Sequence, residues 1–235
     1  VQTHGSPTEP LESYGAMDLP ETETMLLPFA NSRLAASAAR SYACRAVTSE
    51  TFTCPYGWPN IRMFAERPDD LKLTADVQFA FGVQQVVHHG FASSPAAKSG
   101  PGRHFYATTH LNHTLPWARG LRELNRYLGR VSHLLRIGTA LTDLAVYLPV
   151  HDVWSRSASD ASFWPDEESV LPEPFARYTF DWVNDDVLTR MAARAGKAVV
   201  GEQEYSALVL PPMDYLPLSA ARDVARLGRA GIPVV

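Results

Sequence analysis

The sequence predicts an α/β fold in two parts. Residues 1–138 are predicted to form the C-terminal part of a (β/α)8 TIM-like barrel. Residues 139–235 are predicted to begin an open, doubly wound α/β domain of the flavodoxin or glutamine-amidotransferase type. Three observations favour this division. Strand-like and helix-like segments alternate along the chain, the loops that follow strands before residue 138 are long and polar, and the later segments resemble those of an open sheet.

About three barrel strands are predicted before residue 138, whereas a complete barrel has eight. They cover residues 1–5, 45–49 and 83–87. The helices between and after them cover residues 9–17, 33–43, 69–81 and 119–137. The last helix is the best defined, because apolar residues from Leu121 to Leu135 recur at three- and four-residue spacing. Residues 19–23, Leu-Pro-Glu-Thr-Glu, are predicted as a loop.

The second part continues with shorter segments. Its strands are predicted over residues 144–149, 180–183, 198–200, 207–210 and 232–235. A short helix is expected to begin at Asn184 or Asp185, which are good N-cap residues, and a longer one covers residues 219–229. Residues 155–174 are predicted as an irregular insert.

Composition excludes several classes of protein. The chain has 235 residues, of which 46% are hydrophobic and 20% charged, and this excludes a disordered or fibrous protein. A net charge of −4 predicts no nucleic-acid partner, and no apolar run approaches the ~18 residues of a membrane span. Because both ends fall in predicted strands, we expect the sequence to be part of a longer chain. Its localisation, whether secreted, periplasmic or cytoplasmic, stays open.

Several familiar site motifs are absent from the sequence. It has no glycine-rich phosphate loop and no Gly-x-Ser-x-Gly nucleophile motif. Cys44 and Cys54 are interpreted as two unpaired thiols. The acidic group around Asp181, Asn184 and Asp185 lacks the spacing of a calcium loop and is explained by helix capping.

Glu50 is the sharpest catalytic candidate. It directly follows a predicted strand and precedes a loop that contains Tyr56 and Trp58. A carboxylate at the end of a barrel strand, beside aromatic rings that stack on a sugar, is typical of glycoside hydrolysis. The alternative is a solvent-exposed glutamate at the start of a loop.

Other polar residues lie near predicted strand ends. Glu21 and Glu23 are placed to bind sugar hydroxyls or a cation, although two solvated acids explain them as well. His4, His88 and His89 follow two strands whose ends converge, where imidazoles can bind substrate hydroxyls. Of His88 and His89, one is expected to face the core and the other the site. His110 and His113 lack the glutamate of a zinc-protease motif and are interpreted as loop surface.

Short motifs spread over nearly the whole chain resemble, in their order, a known enzyme family. They are QTHGSP at 2–7, LPETE at 19–23, AASAA at 35–39, VTSETFT at 47–53, AFGV at 80–83, HHG at 88–90, YLGR at 127–130, DLAVYLP at 143–149, DWVNDDVL at 181–188 and YSALVLP at 205–211. This succession resembles the α-L-rhamnosidases of glycoside hydrolase family 106. The resemblance implies a much longer protein with a catalytic (β/α)8 barrel, an adjacent α/β domain and β-sandwich modules.

The resemblance also implies a mechanism. The family inverts configuration: one carboxylic acid protonates the glycosidic oxygen, and a carboxylate ~6.5–9.5 Å away activates a water molecule. Glu50 matches one member of that pair in its Ser/Ala-Glu-x-Phe-Thr context, whereas the other falls upstream of residue 1. The family pattern does not support Glu21 or Glu23 as the second acid. Calcium at the active site occurs in the family, and the resemblance assigns no ligands for it here.

The sequence is therefore interpreted as part of a rhamnosidase-like glycoside hydrolase. Glu50 would be catalytic, and the residues expected to bind the substrate are His4, His88, His89, Tyr56, Trp58, Glu21 and Glu23. The expected partner is a rhamnoside or related carbohydrate, with no membrane partner. Because half a barrel leaves strand edges open, the chain is expected to need the missing half or another copy. The alternatives are a non-catalytic carbohydrate-binding or structural fragment, and a metal-dependent hydrolase that uses the histidines.

Overall fold

A computed structural model gives the fold and describes residues 8–23, 30–57, 62–94, 102–156 and 177–235. The helices are α1 Pro10–Gly15, α2 Ala30–Ser41, α3 Pro68–Ala80, α4 Leu121–Leu135, α5 Val150–Arg156, α6 Asp185–Arg190 and α7 Leu218–Arg229. The strands are β1 Glu21–Glu23, β2 Thr48–Thr51, β3 Gln85–His88, β4 Leu144–Tyr147, β5 Phe180–Val183, β6 Ala192–Arg194, β7 Lys197–Val200, β8 Gln203–Tyr205 and β9 Ala207–Val209. None of the described helices is long and apolar enough to span a lipid bilayer.

The first sheet is parallel and has the order β1-β2-β3. Its strands alternate with α2 and α3, as the strand and helix rhythm predicts. The predicted loop at residues 19–23 is wrong, because Glu21–Glu23 pairs with β2 and Thr22 is buried. Backbone pairing, such as the Thr48 N–H donated to the Pro20 carbonyl at 2.9 Å, outweighs the polar composition of this segment. The predicted strand at residues 1–5 lies outside the described residues.

The two faces of the first sheet differ. Side chains alternate between faces along a strand, and residues paired in parallel register point to the same face. Thr51 and His88 are paired on the face covered by α3 and α4, where the Thr51 hydroxyl lies 3.1 Å from Gln78 Oε1 of α3. The apolar cluster on this side includes Phe52, Leu71, Phe79, Leu124 and Leu128. Glu50 and its partner Val87 therefore point to the opposite face.

The second sheet is parallel in the order β5-β4-β9 and is buried on both faces. Along β4, Leu144 and Val146 enter one apolar cluster, whereas Ala145 and Tyr147 enter another. The first cluster also contains Leu34, Ala35 and Ala38 of α2, and the second contains residues of α6 and α7. A helix from the first predicted domain thus covers the second sheet, and the hydrophobic core is continuous across residue 138.

A third sheet is an antiparallel meander of β6, β7 and β8. The strand predicted at residues 198–200 is present, but it pairs with Ala192–Arg194 and Gln203–Tyr205 instead of joining the parallel sheet. Tight turns explain this arrangement, since Gly196 and Gly201 have the positive φ values that short hairpin turns require. Near the end of the chain, a single parallel bridge joins Val234 to Leu208 of β9.

One polar contact joins α1 to the second sheet. Glu9 is the N-cap of α1 and accepts the Glu12 N–H at 2.5 Å. Its Oε2 also accepts a hydrogen bond of 3.1 Å from Asn184, the N-cap of α6. Burial raises the pKa of the Glu9 carboxyl to about 7. Glu9 and Asn184 thus connect the start of α1 to the start of α6, which follows β5 of the second sheet.

Candidate active site

Two glutamates lie side by side on the face of the first sheet opposite α3 and α4. Glu23 of β1 and Glu50 of β2 are register partners, so their side chains project in the same direction. Both occur at or next to the carboxyl ends of their strands, the edge at which parallel α/β folds carry their chemistry. Glu50 lies within the observed strand, because β2 begins at Thr48, later than the strand predicted at residues 45–49.

His89 completes the cluster from the neighbouring strand. Its backbone N–H donates to the Thr51 carbonyl at 2.9 Å, which continues the pairing of β3 with β2 by one residue. Its Nδ1 lies 3.2 Å from Glu50 Oε1 and 2.8 Å from the Thr53 hydroxyl. The side chains of His89 and Glu50 are 24% and 26% exposed, so solvent or a ligand can reach both. This geometry can orient the Glu50 carboxylate and exchange a proton with it.

His88 lies on the other side of the strand. Its ring meets Phe52 edge-to-face with centroids 5.1 Å apart, and its side chain is hydrogen-bonded to Asn125 of α4. Burial lowers the pKa of His88 and so disfavours its charged form among these neighbours. Of the two adjacent histidines, His89 joins Glu50 and His88 supports the sheet from behind.

The chain turns sharply after Glu50. Phe52 is buried and has a φ of +74°, a backbone conformation that residues other than glycine seldom adopt. Its carbonyl accepts hydrogen bonds of 3.0 Å from both the backbone N–H and the hydroxyl of Thr109. These contacts fix the loop that leaves β2, and they hold Thr53 next to His89.

An aromatic surface that the sequence pattern did not predict borders the cluster. Phe105 meets His89 with ring centroids 5.7 Å apart, and Tyr106 meets Phe105 at 4.9 Å. Both rings are accessible, with 47% and 52% of their surfaces exposed. An antiparallel bridge from Thr53 to Thr108 ties this loop to the end of β2. The only sequence signal was two adjacent aromatic residues in the long loop after β3.

The remaining predicted residues lie in different surroundings. Tyr56 donates its hydroxyl to Asp70 at the start of α3, and burial together with Asp70 raises its pKa to about 12. Glu21 lies at the other end of β1 and accepts a hydrogen bond of 3.3 Å from the Thr48 hydroxyl. His4 and Trp58 lie outside the described residues.

Glu23, Glu50 and His89 could hold a metal ion. Each offers one ligand atom, and these atoms lie within 4.8 Å of one another. Within the described part of the chain, no other group of three histidine, cysteine, aspartate or glutamate residues is this close together. Calcium takes about six to eight oxygen ligands, so two carboxylates and an imidazole nitrogen do not fit it. The mixed oxygen and nitrogen set suits a divalent transition metal better.

The fold is shared with part of a solved structure. The chain matches a rhamnosidase from Novosphingobium sp. PP1Y with a TM-score of 0.76 and 23% sequence identity. The match covers 95% of this chain and 21% of that one, so the chain spans about a fifth of that protein's length. No curated protein matches the sequence.

A family model gives the assignment. The model of glycoside hydrolase family 106, described as alpha-L-rhamnosidase, matches residues 12–235. The match covers nearly the whole sequence, including Glu23, Glu50 and His89. The resemblance seen in the ordered motifs is thereby confirmed, and the chain belongs to glycoside hydrolase family 106.

Proposed function

We propose that this chain supplies part of the active site of an inverting α-L-rhamnosidase, with Glu50 as one of its two catalytic carboxylates. The observation that carries the proposal is the contact of Glu50 with His89 at a shared strand edge, with both side chains accessible. In this role Glu50 either protonates the glycosidic oxygen or activates the attacking water. His89 orients the Glu50 carboxylate while the proton moves, and Thr53 contacts the same imidazole nitrogen.

Glu23 is proposed to assist Glu50 without being its catalytic partner. An inverting enzyme needs about 6.5–9.5 Å between its two carboxyl groups, because a water molecule must fit between the substrate and one of them. Ligand atoms of Glu23 and Glu50 lie within 4.8 Å of each other, which is too close. As the family resemblance implies, the second acid of the pair is proposed to come from a part of the protein outside these 235 residues.

The aromatic surface supports a carbohydrate substrate. Sugar rings present apolar C–H faces that stack on aromatic side chains, and the exposed rings of Phe105 and Tyr106 begin beside His89. A sugar that rests on this surface would bring its glycosidic bond next to Glu50. Tyr56 and Trp58, predicted to stack on the sugar, remain predictions.

A barrel is the proposed setting of this site. The first sheet has parallel strands followed by helices, and the edge of β3 has no further strand among the described residues. Val87 is 38% exposed on the Glu50 face, which the packed interior of a closed barrel would cover. We infer that further strands of a longer protein complete the sheet as a (β/α)8 barrel, with a second copy of the chain as the alternative.

The proposal is tested by Glu50→Gln in the full-length protein. This variant should lower the kcat for an aryl α-L-rhamnoside by about 10²–10⁴-fold, since it removes one proton-transfer group. Glu204→Gln on β8, where the carboxylate is exposed and 3.4 Å from Lys197, is the matched control and should keep wild-type activity. Wild-type turnover by Glu50→Gln would rule out a catalytic role for this residue.

Leaving-group dependence then separates the two roles of Glu50. If Glu50 is the general acid, Glu50→Ala should lose little activity on a dinitrophenyl rhamnoside, whose leaving group needs no proton. If Glu50 is the general base, Glu50→Ala should hydrolyse all substrates slowly, and added azide should restore turnover by taking the place of the activated water.

A metal-dependent hydrolase is a second candidate, because Glu23, Glu50 and His89 form a group of three possible ligands. Metal analysis of the purified full-length protein would decide between the candidates. One transition-metal ion per chain, lost in His89→Ala, would support the metal enzyme. Full activity after chelation, with no bound metal, would leave only the carboxylate mechanism.

A further inference from the structure

The second parallel sheet carries its own group of accessible polar and aromatic side chains. His151 and Trp154 lie on α5, which follows β4, and their rings meet edge-to-face with centroids 5.9 Å apart. Asp185 begins α6 after β5, and its Oδ2 lies 3.6 Å from His151 Nε2. His151 and Asp185 lie just beyond the carboxyl ends of the adjacent parallel strands β4 and β5, and Trp154 lies one turn further along α5.

The Asp185 carboxylate is oriented from below. Tyr147, the last residue of β4, donates its buried hydroxyl to Asp185 Oδ1 at 2.6 Å. Burial and the Asp185 charge raise the pKa of Tyr147, so this hydroxyl stays protonated and remains a donor. With Oδ1 bound to Tyr147, Oδ2 is directed towards His151. A ligand hydroxyl could therefore meet a pre-oriented acceptor beside an imidazole.

The helix that carries Trp154 is also held in place. Asp152 of α5 is fully buried and accepts the backbone N–H groups of Asp214 and Tyr215 at 3.0 and 2.9 Å. These two residues follow β9, so Asp152 bridges the ends of β4 and β9, between which the order of the sheet reverses. Open α/β sheets bind ligands at this position. Here the buried Asp152 carboxylate binds the loop that follows β9, and His151, Trp154 and Asp185 form the accessible surface beside it.

We propose that Trp154, His151 and Asp185 form a second carbohydrate-binding site, separate from the Glu50 cluster, that takes a single pyranose ring. The indole, 38% exposed, would stack on the apolar face of the sugar. Asp185 Oδ2 and His151 Nε2 are 3.6 Å apart and would bind two neighbouring hydroxyls of the ring. The proposal does not rest on catalysis by Glu50. In a glycoside hydrolase, such a site would hold a second sugar unit of a polymeric substrate.

The test uses the full-length protein labelled with 5-fluorotryptophan, whose ¹⁹F resonances report each indole separately. The Trp154 resonance is assigned by its loss in Trp154→Phe. Titration with L-rhamnose, D-galactose and D-glucose should shift this resonance saturably for at least one sugar, with a Kd of roughly 1–10 mM. Asp185→Asn should weaken that binding at least tenfold, whereas Tyr178→Ala, an exposed aromatic residue just before the amino end of β5, should not.

Two outcomes would overturn the proposal. The Trp154 resonance would fail to move with any of the three sugars, or it would move equally in wild type and Asp185→Asn. Since the readout is local to Trp154, loss of turnover in Glu50→Gln leaves the result unaffected. The two proposals therefore fail independently.

Discussion

The two parallel sheets differ in what their strands bury. In the second sheet, every residue of β4, β5 and β9 is buried, and Asp181 is the only charged residue among them. The first sheet buries Thr22, Thr48, Ser49 and Thr51, and β3 alternates between exposed and half-buried residues. One sheet is thus a scaffold covered on both faces, and the other carries a polar face on which chemistry can take place.

Covering elements explain this difference. The second sheet is enclosed by α2 on one side and by α6, α7 and the antiparallel meander on the other. The first sheet is enclosed by α3 and α4 on the side of Thr51 and His88, whereas its Glu50 side presents carboxylates. Because burial of apolar surface is the main source of stability, the second sheet should dominate folding. The first sheet should dominate function.

The same substitution in the two sheets gives the largest difference in stability. Val146→Ala in β4 removes two methyl groups from a side chain with no exposed surface and should cost about 2–3 kcal/mol of unfolding free energy. Val87→Ala in β3 removes them from a side chain that is 38% exposed and should cost less than about 0.5 kcal/mol. Urea unfolding followed by tryptophan fluorescence measures both. Equal losses would contradict the division into scaffold and functional sheet.

A buried hydroxyl in the first sheet should have a smaller effect. Thr51→Val removes a hydroxyl 2.8 Å from the Ser49 carbonyl and 3.1 Å from Gln78 Oε1, which should cost about 1 kcal/mol. The matched control is Thr189→Val on α6, where the hydroxyl is exposed and the cost should stay below about 0.5 kcal/mol. If the two variants unfold at the same urea concentration, the polar interior of the first sheet contributes no stability.

The last comparison concerns the contact between Glu9 at the start of α1 and Asn184 at the start of α6, and it depends on pH. Burial raises the pKa of Glu9 from 4.5 to about 7, so the folded protein favours the neutral carboxyl. The stability that the neutral carboxyl contributes is fully present below 4.5, the pKa of Glu9 in the unfolded chain, and is lost as pH rises through about 7. Glu9→Gln, which stays neutral, should therefore raise Tm by a few degrees at pH 8 and change it little at pH 4. The same change in Tm at both values would show that ionisation of Glu9 is not involved.

Much of the regular structure follows from local pattern. The helix Leu121–Leu135 and the strand Phe180–Val183 lie where apolar spacing predicts them. The strand Glu21–Glu23 could not be predicted in this way, because its three polar residues are stabilised by pairing with β2 and not by their own propensity. The antiparallel meander was missed in part for a similar reason, since β6 and β8 are three residues long.

The candidate site was predictable to a similar extent. Glu50 follows from its position near a strand end, and one histidine facing the site follows from strand alternation. That this histidine is His89 depends on the register of β3 with β2. Phe105 and Tyr106 could not be predicted, because they reach His89 through a loop whose path is set by the contacts of Thr53 and Thr108.

Hydrophobic spacing and ordered motifs are local properties of the chain, so they suffice to predict the α/β class, the family and Glu50 as a catalytic candidate. Tertiary structure decided which polar residues meet. Register placed Glu23 beside Glu50, the pleat separated His89 from His88, and packing joined α2 to the second sheet across the predicted boundary. These outcomes depend on contacts between residues distant in the chain, whose energies no local pattern contains.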